Sequence, residues 1–357
     1  MLNRKWLFCL ICLIISGVFW LTGCYEQDTV EEDLNIIEDN GDSKEESSGE
    51  SIVERLEQEQ QLREEVIEAL SGLHEAKEDK GFYWPYYLYI PDNIAIGQAV
   101  NILVLPTSSP QQSDSLEYHK EYAEVVYEWL GNLFGQELKT ITITPVLPRF
   151  KEHPYSDNIP YGWSDPQRLK EPTIRREEGQ FYQFDLQTLA MIEDAREQLQ
   201  EMGIKTYGKF YLYGFSNGGV FTSRMLLLHP EKVQAAAFGG TGFPSVPVSS
   251  WDDVYLPYPT GIGGLEEITG KEFDLEEFKS TPIFVFRGSL DENDFYEFSR
   301  PPYVVAFGAT PLERNKAAKE IFESVGSNVE FRFYDVEHEI TDLMYSDVFS
   351  FFKTHMR

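Results

Sequence analysis

The stretch Lys209-Phe-Tyr-Leu-Tyr-Gly-Phe-Ser-Asn-Gly-Gly-Val220 decides the fold. Its first five residues are mostly large apolar or aromatic side chains, which is typical of a buried β-strand. Residues 220–228 have the composition of a helix, and Pro230 stops it. Between the two lies Gly214-Phe-Ser216-Asn-Gly218, a G-x-S-x-G turn that lifts a serine oxygen above the end of the strand. The pattern predicts that Ser216 is a nucleophile.

Strand-like and helix-like segments alternate on both sides of this turn. The predicted strands are 86–90, 100–105, 140–144, 209–213, 235–238, 282–286 and 329–334, and the predicted helices are 115–135, 185–202, 220–228, 311–325 and 340–352. Strands separated by helices favour an α/β fold, in which a mostly parallel sheet has helices on both faces. Functional residues of such sheets lie at the carboxyl ends of the strands.

A serine hydroxyl needs a base to remove its proton, and a histidine is the usual base. The chain has six histidines, of which only His338 lies on a loop after a late strand, 329–334, and before the last helix. His338 is therefore the predicted base.

The base in turn needs an acid, which holds the imidazole in one tautomer and stabilises the imidazolium. Asp291 lies three residues after Gly288, on the loop that follows strand 282–286. A tight turn there would direct Asp291 towards the histidine. Asp294 is the second candidate on the same loop, and Glu292 is the third.

Two backbone N–H groups are expected to form an oxyanion hole. One is the amide of Asn217, directly after the nucleophile. The other belongs to the loop after strand 100–105, where Thr107 or Ser108 is the predicted donor because Pro106 has no N–H.

From about Tyr86 to its end, the chain resembles the α/β-hydrolase superfamily, in particular lipoprotein esterases and polyhydroxyalkanoate-depolymerase-like serine hydrolases. The resemblance rests on Gly214-Phe-Ser-Asn-Gly-Gly219, on Gly288-x-x-Asp291 and on His338 before a terminal helix. It implies the α/β-hydrolase fold with cap inserts, the order Ser216, Asp291, His338, and hydrolysis of carboxylic esters through an acyl-enzyme. In one departure, Pro106-Thr-Ser-Ser-Pro110 stands where the family often has His-Gly.

The amino terminus has the parts of a secretory signal: a basic start, an apolar run of residues 6–21, and small residues before Cys24. Leu21-Thr-Gly-Cys24 resembles a bacterial lipobox, which implies removal of residues 1–23 and lipid attachment at Cys24. We expect the protein on the extracytoplasmic face of a bacterial cell membrane. The alternative is a transmembrane anchor, but the run is shorter than the roughly 20 residues that span a bilayer.

Three further segments divide the rest of the chain. Residues 24–50 carry eleven acids and one base, which predicts a disordered acidic tether. Residues 51–80 are predicted as an amphipathic helix that packs on the domain; a short coiled coil is the alternative. Residues 81–357 form the predicted hydrolase domain. Its long inserts, about 151–184 and 244–279, are rich in aromatic residues and are expected to cover the site.

Composition and missing motifs exclude other classes of protein. The chain has 60 acids and 30 bases, and a net charge of −30 argues against nucleic-acid binding. All three cysteines lie in the first 24 residues, so no disulfide or cysteine nucleophile is expected beyond them. Dinucleotide, P-loop, EF-hand and His-Glu-x-x-His patterns are incomplete or missing. We therefore expect no cofactor and no metal. The expected partners are the membrane and a small-molecule or polymeric ester. For the function, two alternatives to an esterase remain open: a peptidase or acyltransferase on this fold, and a non-catalytic binding lipoprotein.

Overall fold

The structure is a computed structural model that describes residues 52–107, 113–149, 169–175, 179–293 and 302–357. The signal segment with Cys24, the acidic tether, Ser108, Asp294 and residues 151–168 of the first insert lie outside the described residues. The chain divides into two compact units, residues 1–60 and 61–357. The fold below is that of the second unit.

The described helices and strands follow one another along the chain with few long connections. The helices are α1 (Ile52–Leu70), α2 (Leu116–Val126), α3 (Asn132–Leu138), α4 (Glu171–Ile174), α5 (Phe184–Glu201), α6 (Asn217–Leu228), α7 (Leu265–Thr269), α8 (Leu275–Ser280), α9 (Pro302–Val305), α10 (Pro311–Ser324) and α11 (Asp342–His355). The strands are β1 (Gly72–His74), β2 (Tyr86–Tyr89), β3 (Ala99–Val100), β4 (Ile102–Val104), β5 (Ile141–Pro145), β6 (Lys205–Thr206), β7 (Phe210–Phe215), β8 (Val233–Gly239), β9 (Ser250–Trp251), β10 (Val254–Tyr255), β11 (Ile283–Gly288) and β12 (Val329–Tyr334).

Eight strands form one sheet in the order β1-β2-β5-β4-β7-β8-β11-β12. From β5 to β12, every neighbouring pair is parallel. β2 is antiparallel to β5, and β1 is antiparallel to β2. The carboxyl ends of six strands therefore lie along one edge, where the sequence predicts the functional residues.

Both faces of this sheet are covered, as the apolar composition of its strands predicts. Phe210 and Leu212 of β7 pack in a cluster with α5, α6 and α10, whereas Tyr211 and Tyr213 pack in a second cluster with α3 and α11. This alternation along one strand puts helices on both faces of the sheet. The predicted α/β architecture is confirmed.

The amino-terminal helix is shorter than the predicted segment 51–80. It ends at Leu70, because Gly72 has φ +121° and the chain leaves the helix there. Residues Gly72–His74 then pair with β2 as an edge strand, so His74 is in a strand and not in the helix. Val66 and Leu70 are buried in the larger apolar cluster, so residues 61–70 pack on the domain.

The predicted helix 115–135 is interrupted. α2 ends at Val126, a π-helical turn spans Tyr127–Gly131, and α3 continues to Leu138. No other helix in the described part of the chain shows a π-helical turn.

The second insert, 244–279, contains β9, β10, α7 and most of α8. Leu256 and Tyr258 of this insert belong to the larger apolar cluster, and the Tyr258 hydroxyl donates a hydrogen bond to the carbonyl of Leu169 in the first insert. Tyr255, in contrast, is exposed. Within the described ranges, no helix combines the length and apolar character that crossing a membrane requires.

Candidate active site

Ser216 occupies a strained turn between β7 and α6. Its backbone angles are φ 59° and ψ −122°, and a positive φ is uncommon for a residue with a side chain. The strand ends at Phe215 and the helix begins at Asn217, so a single residue makes the connection. This is the geometry that the G-x-S-x-G pattern predicts.

Two glycines allow this turn to form. A Cβ at Gly214 would lie 2.1 Å from the carbonyl oxygen of Gly218, and a Cβ at Gly219 would lie 2.4 Å from that of Gly239. The same Gly239 oxygen accepts a hydrogen bond of 2.9 Å from the amide of Ser216. The end of β8 therefore supports Ser216 directly.

The structure brings Ser216, His338 and Asp291 together in one hydrogen-bonded line. His338 Nε2 lies 3.1 Å from Ser216 Oγ, and His338 Nδ1 lies 2.8 Å from Asp291 Oδ2. A carboxylate only accepts hydrogen bonds, so Nδ1 carries a hydrogen and its N–H group donates the hydrogen bond to Asp291 Oδ2. Nε2 is then the acceptor for the Ser216 hydroxyl, which is the arrangement a general base needs.

Neighbouring parallel strands place Asp291 and His338. β11 pairs with β12 as far as Gly288 and Tyr334, and the two following loops continue to bond to each other. Leu290 N donates to Val336 O at 3.1 Å. A Cβ at Gly288 would lie 2.3 Å from the carbonyl oxygens of Val336 and Glu337, so only glycine lets the histidine loop approach this closely.

The imidazole of His338 is partly exposed, whereas the carboxylate of Asp291 is buried, with side-chain exposures of 21% and 1%. The ring of Phe215 lies 4.8 Å from the imidazole ring. A Cβ at Gly240 would lie 3.1 Å from His338 Cε1. The imidazole thus has an aromatic neighbour and a glycine beside it, while its Nε2 faces the nucleophile.

Two contacts to Asp291 are not foreseen from the motifs. Asn293 N donates to Asp291 Oδ1 at 2.9 Å, and the Arg287 guanidinium lies 3.2 Å from Oδ2. The sequence does hold a signal for Arg287, because an arginine inside a buried strand requires a partner.

Two of the predicted oxyanion residues, Asn217 and Thr107, are described, and their role as donors stays a prediction. Asn217 is the first residue of α6, and the first N–H groups of a helix have no acceptor within it. Thr107 is buried and lies three residues beyond Val104, which pairs with Leu212 of β7. Phe215 likewise lies three residues beyond Leu212, so Thr107 and the elbow follow neighbouring parallel strands at the same edge of the sheet. Ser108 is outside the described residues.

Those of the other candidates that the structure describes have different surroundings. Glu292 is exposed, and Asp294 lies outside the described residues. Among the remaining described histidines, His119 contacts Ser113 and Arg149, and His229 contacts Asp185. Within the described ranges, no group of three or more potential ligands is arranged to hold a metal ion.

No protein-family model matches the chain, and no curated protein matches it. Solved structures do. Poly(aspartic acid) hydrolase-1 from Sphingomonas sp. KT-1 is 18% identical, covering 78% of this chain and 98% of its own, with a TM-score of 0.50. LpqC, a poly(3-hydroxybutyrate) depolymerase from Bordetella parapertussis, is 12% identical over 78% and 88%, with a TM-score of 0.49. Esterase 2 from Thermogutta terrifontis is 14% identical over 80% and 91%, with a TM-score of 0.43.

At these identities the likeness concerns the fold. Together with the eight-stranded sheet and the elbow at its centre, the likeness to poly(aspartic acid) hydrolase-1 shows that the chain has the α/β-hydrolase fold.

Proposed function

We propose that the protein is a serine hydrolase that cleaves carboxylic esters. The observation that carries this proposal is the hydrogen-bonded line from Ser216 through His338 to Asp291. A non-catalytic binding protein would have no need of a strained serine aligned with a histidine and a buried carboxylate. The intact line therefore argues against the binding alternative.

The first half of the reaction forms an acyl-enzyme. Ser216 Oγ attacks the ester carbonyl carbon while His338 Nε2 takes the hydroxyl proton. The carbonyl oxygen becomes an oxyanion, for which the amide of Asn217 and an amide after Pro106, that of Thr107 or Ser108, are the proposed donors. The tetrahedral intermediate collapses, the bond to the alkoxy oxygen breaks, and the imidazolium gives its proton to the leaving alcohol.

The second half uses the same groups on water. His338 Nε2 removes a proton from a water molecule, and the hydroxide attacks the acyl carbon. Collapse releases the carboxylic acid and returns the proton to Ser216 Oγ. Asp291 accepts the Nδ1–H bond throughout and stabilises the imidazolium at both stages.

Labelling with a fluorophosphonate tests the nucleophile without knowledge of the substrate. The parent protein should be labelled and should hydrolyse a short p-nitrophenyl ester. Ser216→Ala should not be labelled and should retain only weak residual hydrolysis. Ser280→Ala removes an exposed serine on α8 and should behave as the parent. Ester hydrolysis by Ser216→Ala at the parent rate would refute the assignment.

An ester and an amide pass through the same kind of tetrahedral intermediate, so the fold and the line of three residues serve both. The poly(aspartic acid) hydrolase and the poly(3-hydroxybutyrate) depolymerase act on polymers, and polymeric substrates belong in the same assay. Matched p-nitrophenyl ester and p-nitroanilide substrates separate the esterase from the peptidase.

We also propose that the protein is lipid-anchored at Cys24 on the extracytoplasmic face of a bacterial membrane. Leu21-Thr-Gly-Cys24 after an apolar run supports the anchor. The acidic composition of residues 24–50 supports a solvated tether between the membrane and the domain.

A further inference from the structure

Arg287 is a buried cation beside the proposed acid. It precedes Gly288 at the end of β11, and its side chain is 1% exposed. Removing a guanidinium from water is costly unless hydrogen bonds and an opposite charge compensate for the lost hydration. The hydrogen-bond partners of Arg287 therefore indicate which part of the molecule the buried guanidinium stabilises.

The two terminal nitrogens of Arg287 bind different loops. Nη1 donates to the carbonyl oxygen of Thr241 at 2.5 Å. Nη2 donates to the carbonyl oxygen of Asp291 at 2.7 Å and lies 3.2 Å from its Oδ2. The planar guanidinium holds these donors in a fixed geometry, which the single ammonium of lysine does not provide.

Each of these loops supports one end of the hydrogen-bonded line. Thr241 lies on the loop that leaves β8, where Gly239 O binds the amide of Ser216. Asp291 Oδ2 is the oxygen that accepts the Nδ1–H bond of His338. One side chain thus connects the loop that supports the nucleophile with the carboxylate that orients the base.

We propose that Arg287 is a positioning residue of this hydrolase. The guanidinium binds the main-chain oxygen and Oδ2 of Asp291, and its positive charge offsets the buried negative charge of that carboxylate. Arg287 is not proposed to touch the ester. The inference rests on the proposed function. Without the guanidinium, the Asn293 amide still binds Oδ1, but Oδ2 loses its charged partner and can shift away from Nδ1. A misplacement of about 1 Å in an active site can cost on the order of 10²-fold in rate.

Arg287→Met and Arg287→Lys test the proposal, with kcat and KM measured on one activated ester. Arg287→Met should lower kcat on the order of 10²-fold while KM changes by less than about threefold, since binding groups are retained. Arg287→Lys keeps the charge but cannot serve both loops, so its kcat should fall by about 10-fold. If Arg287→Met does not fold, Arg287→Lys decides the matter.

The matched control is Asn315→Ala. Asn315 Nδ2 also donates to Thr241 O, at 3.0 Å, and the residue is buried, so its loss weakens the same loop. Asn315→Ala should lower the free energy of unfolding but leave kcat within about threefold of the parent. The variant weakens only the Thr241 loop and leaves the contacts of Asp291 in place. An equal loss of kcat in Asn315→Ala would overturn the specific role of Arg287.

Proton NMR distinguishes a positioning role of Arg287 from a purely structural one. The Nδ1–H proton of His338, assigned by its loss in His338→Gln, should shift upfield or disappear in Arg287→Met and persist in Asn315→Ala. A kcat near that of the parent in both Arg287 variants, with an unchanged resonance, would overturn the proposal. If the parent neither hydrolyses esters nor reacts with the fluorophosphonate, the proposed function fails instead, and the resonance still reports whether Arg287 holds Asp291 against His338.

Discussion

At the scale of single residues, the bond between Asp291 and His338 determines which imidazole nitrogen faces the nucleophile. We predict that Asp291→Asn lowers kcat on the order of 10⁴-fold, because an amide in this place favours the wrong tautomer. Glu292→Gln removes an exposed charge on the same loop and should have little effect, since solvent and salt screen exposed charges within about 8–10 Å. Steady-state kinetics on one activated ester provide the comparison.

Asp294→Asn is the third variant of that experiment, because the sequence makes Asp294 the second candidate. A large loss of kcat in Asp294→Asn with a small loss in Asp291→Asn would show that the acid is misassigned. Small losses in both would mean that the Ser216–His338 pair works without an acid from this loop.

Gly288 illustrates how closely the loops of the acid and the base approach. We predict that Gly288→Ala lowers both kcat and stability, because its Cβ would lie 2.3 Å from two carbonyl oxygens of the histidine loop. Overpacking of this kind costs typically about 1–3 kcal/mol. Gly208→Ala is the matched control, since a Cβ there meets nothing within 4 Å. Urea unfolding and kcat of both variants test this, and full activity of Gly288→Ala would contradict it.

These single residues also show how much of the candidate site can be predicted from the sequence alone. Ser216, His338 and Asp291 each follow a recognisable strand, and chain order selects them, so their meeting at one edge of the sheet could be predicted. Thr241 could not be assigned as a partner of Arg287, because this contact joins positions 46 apart through a loop whose path no motif specifies.

At the scale of elements, Asp194 connects the chain before β2 to helix α5. Its buried carboxylate accepts hydrogen bonds from Lys77, Lys80 and Tyr86, at 2.7 to 2.8 Å, and from Gln198. Burial raises the pKa of Asp194. The hydrogen bonds from Lys77, Lys80 and Tyr86 lower it by more, so the net pKa is below that of an ordinary aspartate.

The sign of the resulting pH dependence follows from this lowered pKa. The unfolded carboxyl has the ordinary pKa of about 3.9, so the stabilisation is fully present above that value. It is lost as the pH falls below 3.9 and through the lower pKa of the folded state. Asp194 thus stabilises the folded protein at neutral pH and ceases to do so in strong acid.

We predict that Asp194→Asn lowers the free energy of unfolding at pH 7 by about 1–3 kcal/mol, because the buried Tyr86 hydroxyl and two partly exposed lysines lose a carboxylate acceptor. The difference from the parent should narrow as the pH falls below about 3.9. Glu197→Gln, which removes an exposed partner of Lys80, should cost at most about 1 kcal/mol. Urea unfolding at several pH values gives these numbers, and a difference that does not depend on pH would contradict the assigned pKa shift.

The same region shows why element boundaries are harder to predict than elements. Leu70 and Leu73 continue the helical spacing of residues 52–66, so the periodicity alone extends α1 to His74. Gly72 ends that pattern, and pairing with Tyr86–Leu88 makes residues 72–74 an edge strand. A three-residue strand formed by a tertiary pairing leaves no periodic signal in the sequence.

At the scale of the whole molecule, charge is distributed very unevenly. Residues 24–50, the proposed tether, carry eleven acids and one base, which is a third of the net charge of −30 in 27 of 357 residues. Such a composition repels an anionic membrane surface, which suits a tether that keeps a folded domain away from lipid headgroups. The proposed tether has this role only if its amino-terminal end is attached to the membrane.

We predict that Cys24→Ser abolishes lipid attachment and leaves the signal segment uncleaved or poorly cleaved, because the lipobox reading requires the sulfur of Cys24. Metabolic labelling with palmitate, followed by gel mobility, measures both effects. Cys9→Ser removes a cysteine inside the apolar run and should leave labelling and cleavage as in the parent. Label on Cys24→Ser equal to that on the parent would refute attachment at this residue. A parent that carries no label and retains its signal segment would instead favour the transmembrane anchor, although a run of residues 6–21 is shorter than the roughly 20 residues that a bilayer requires.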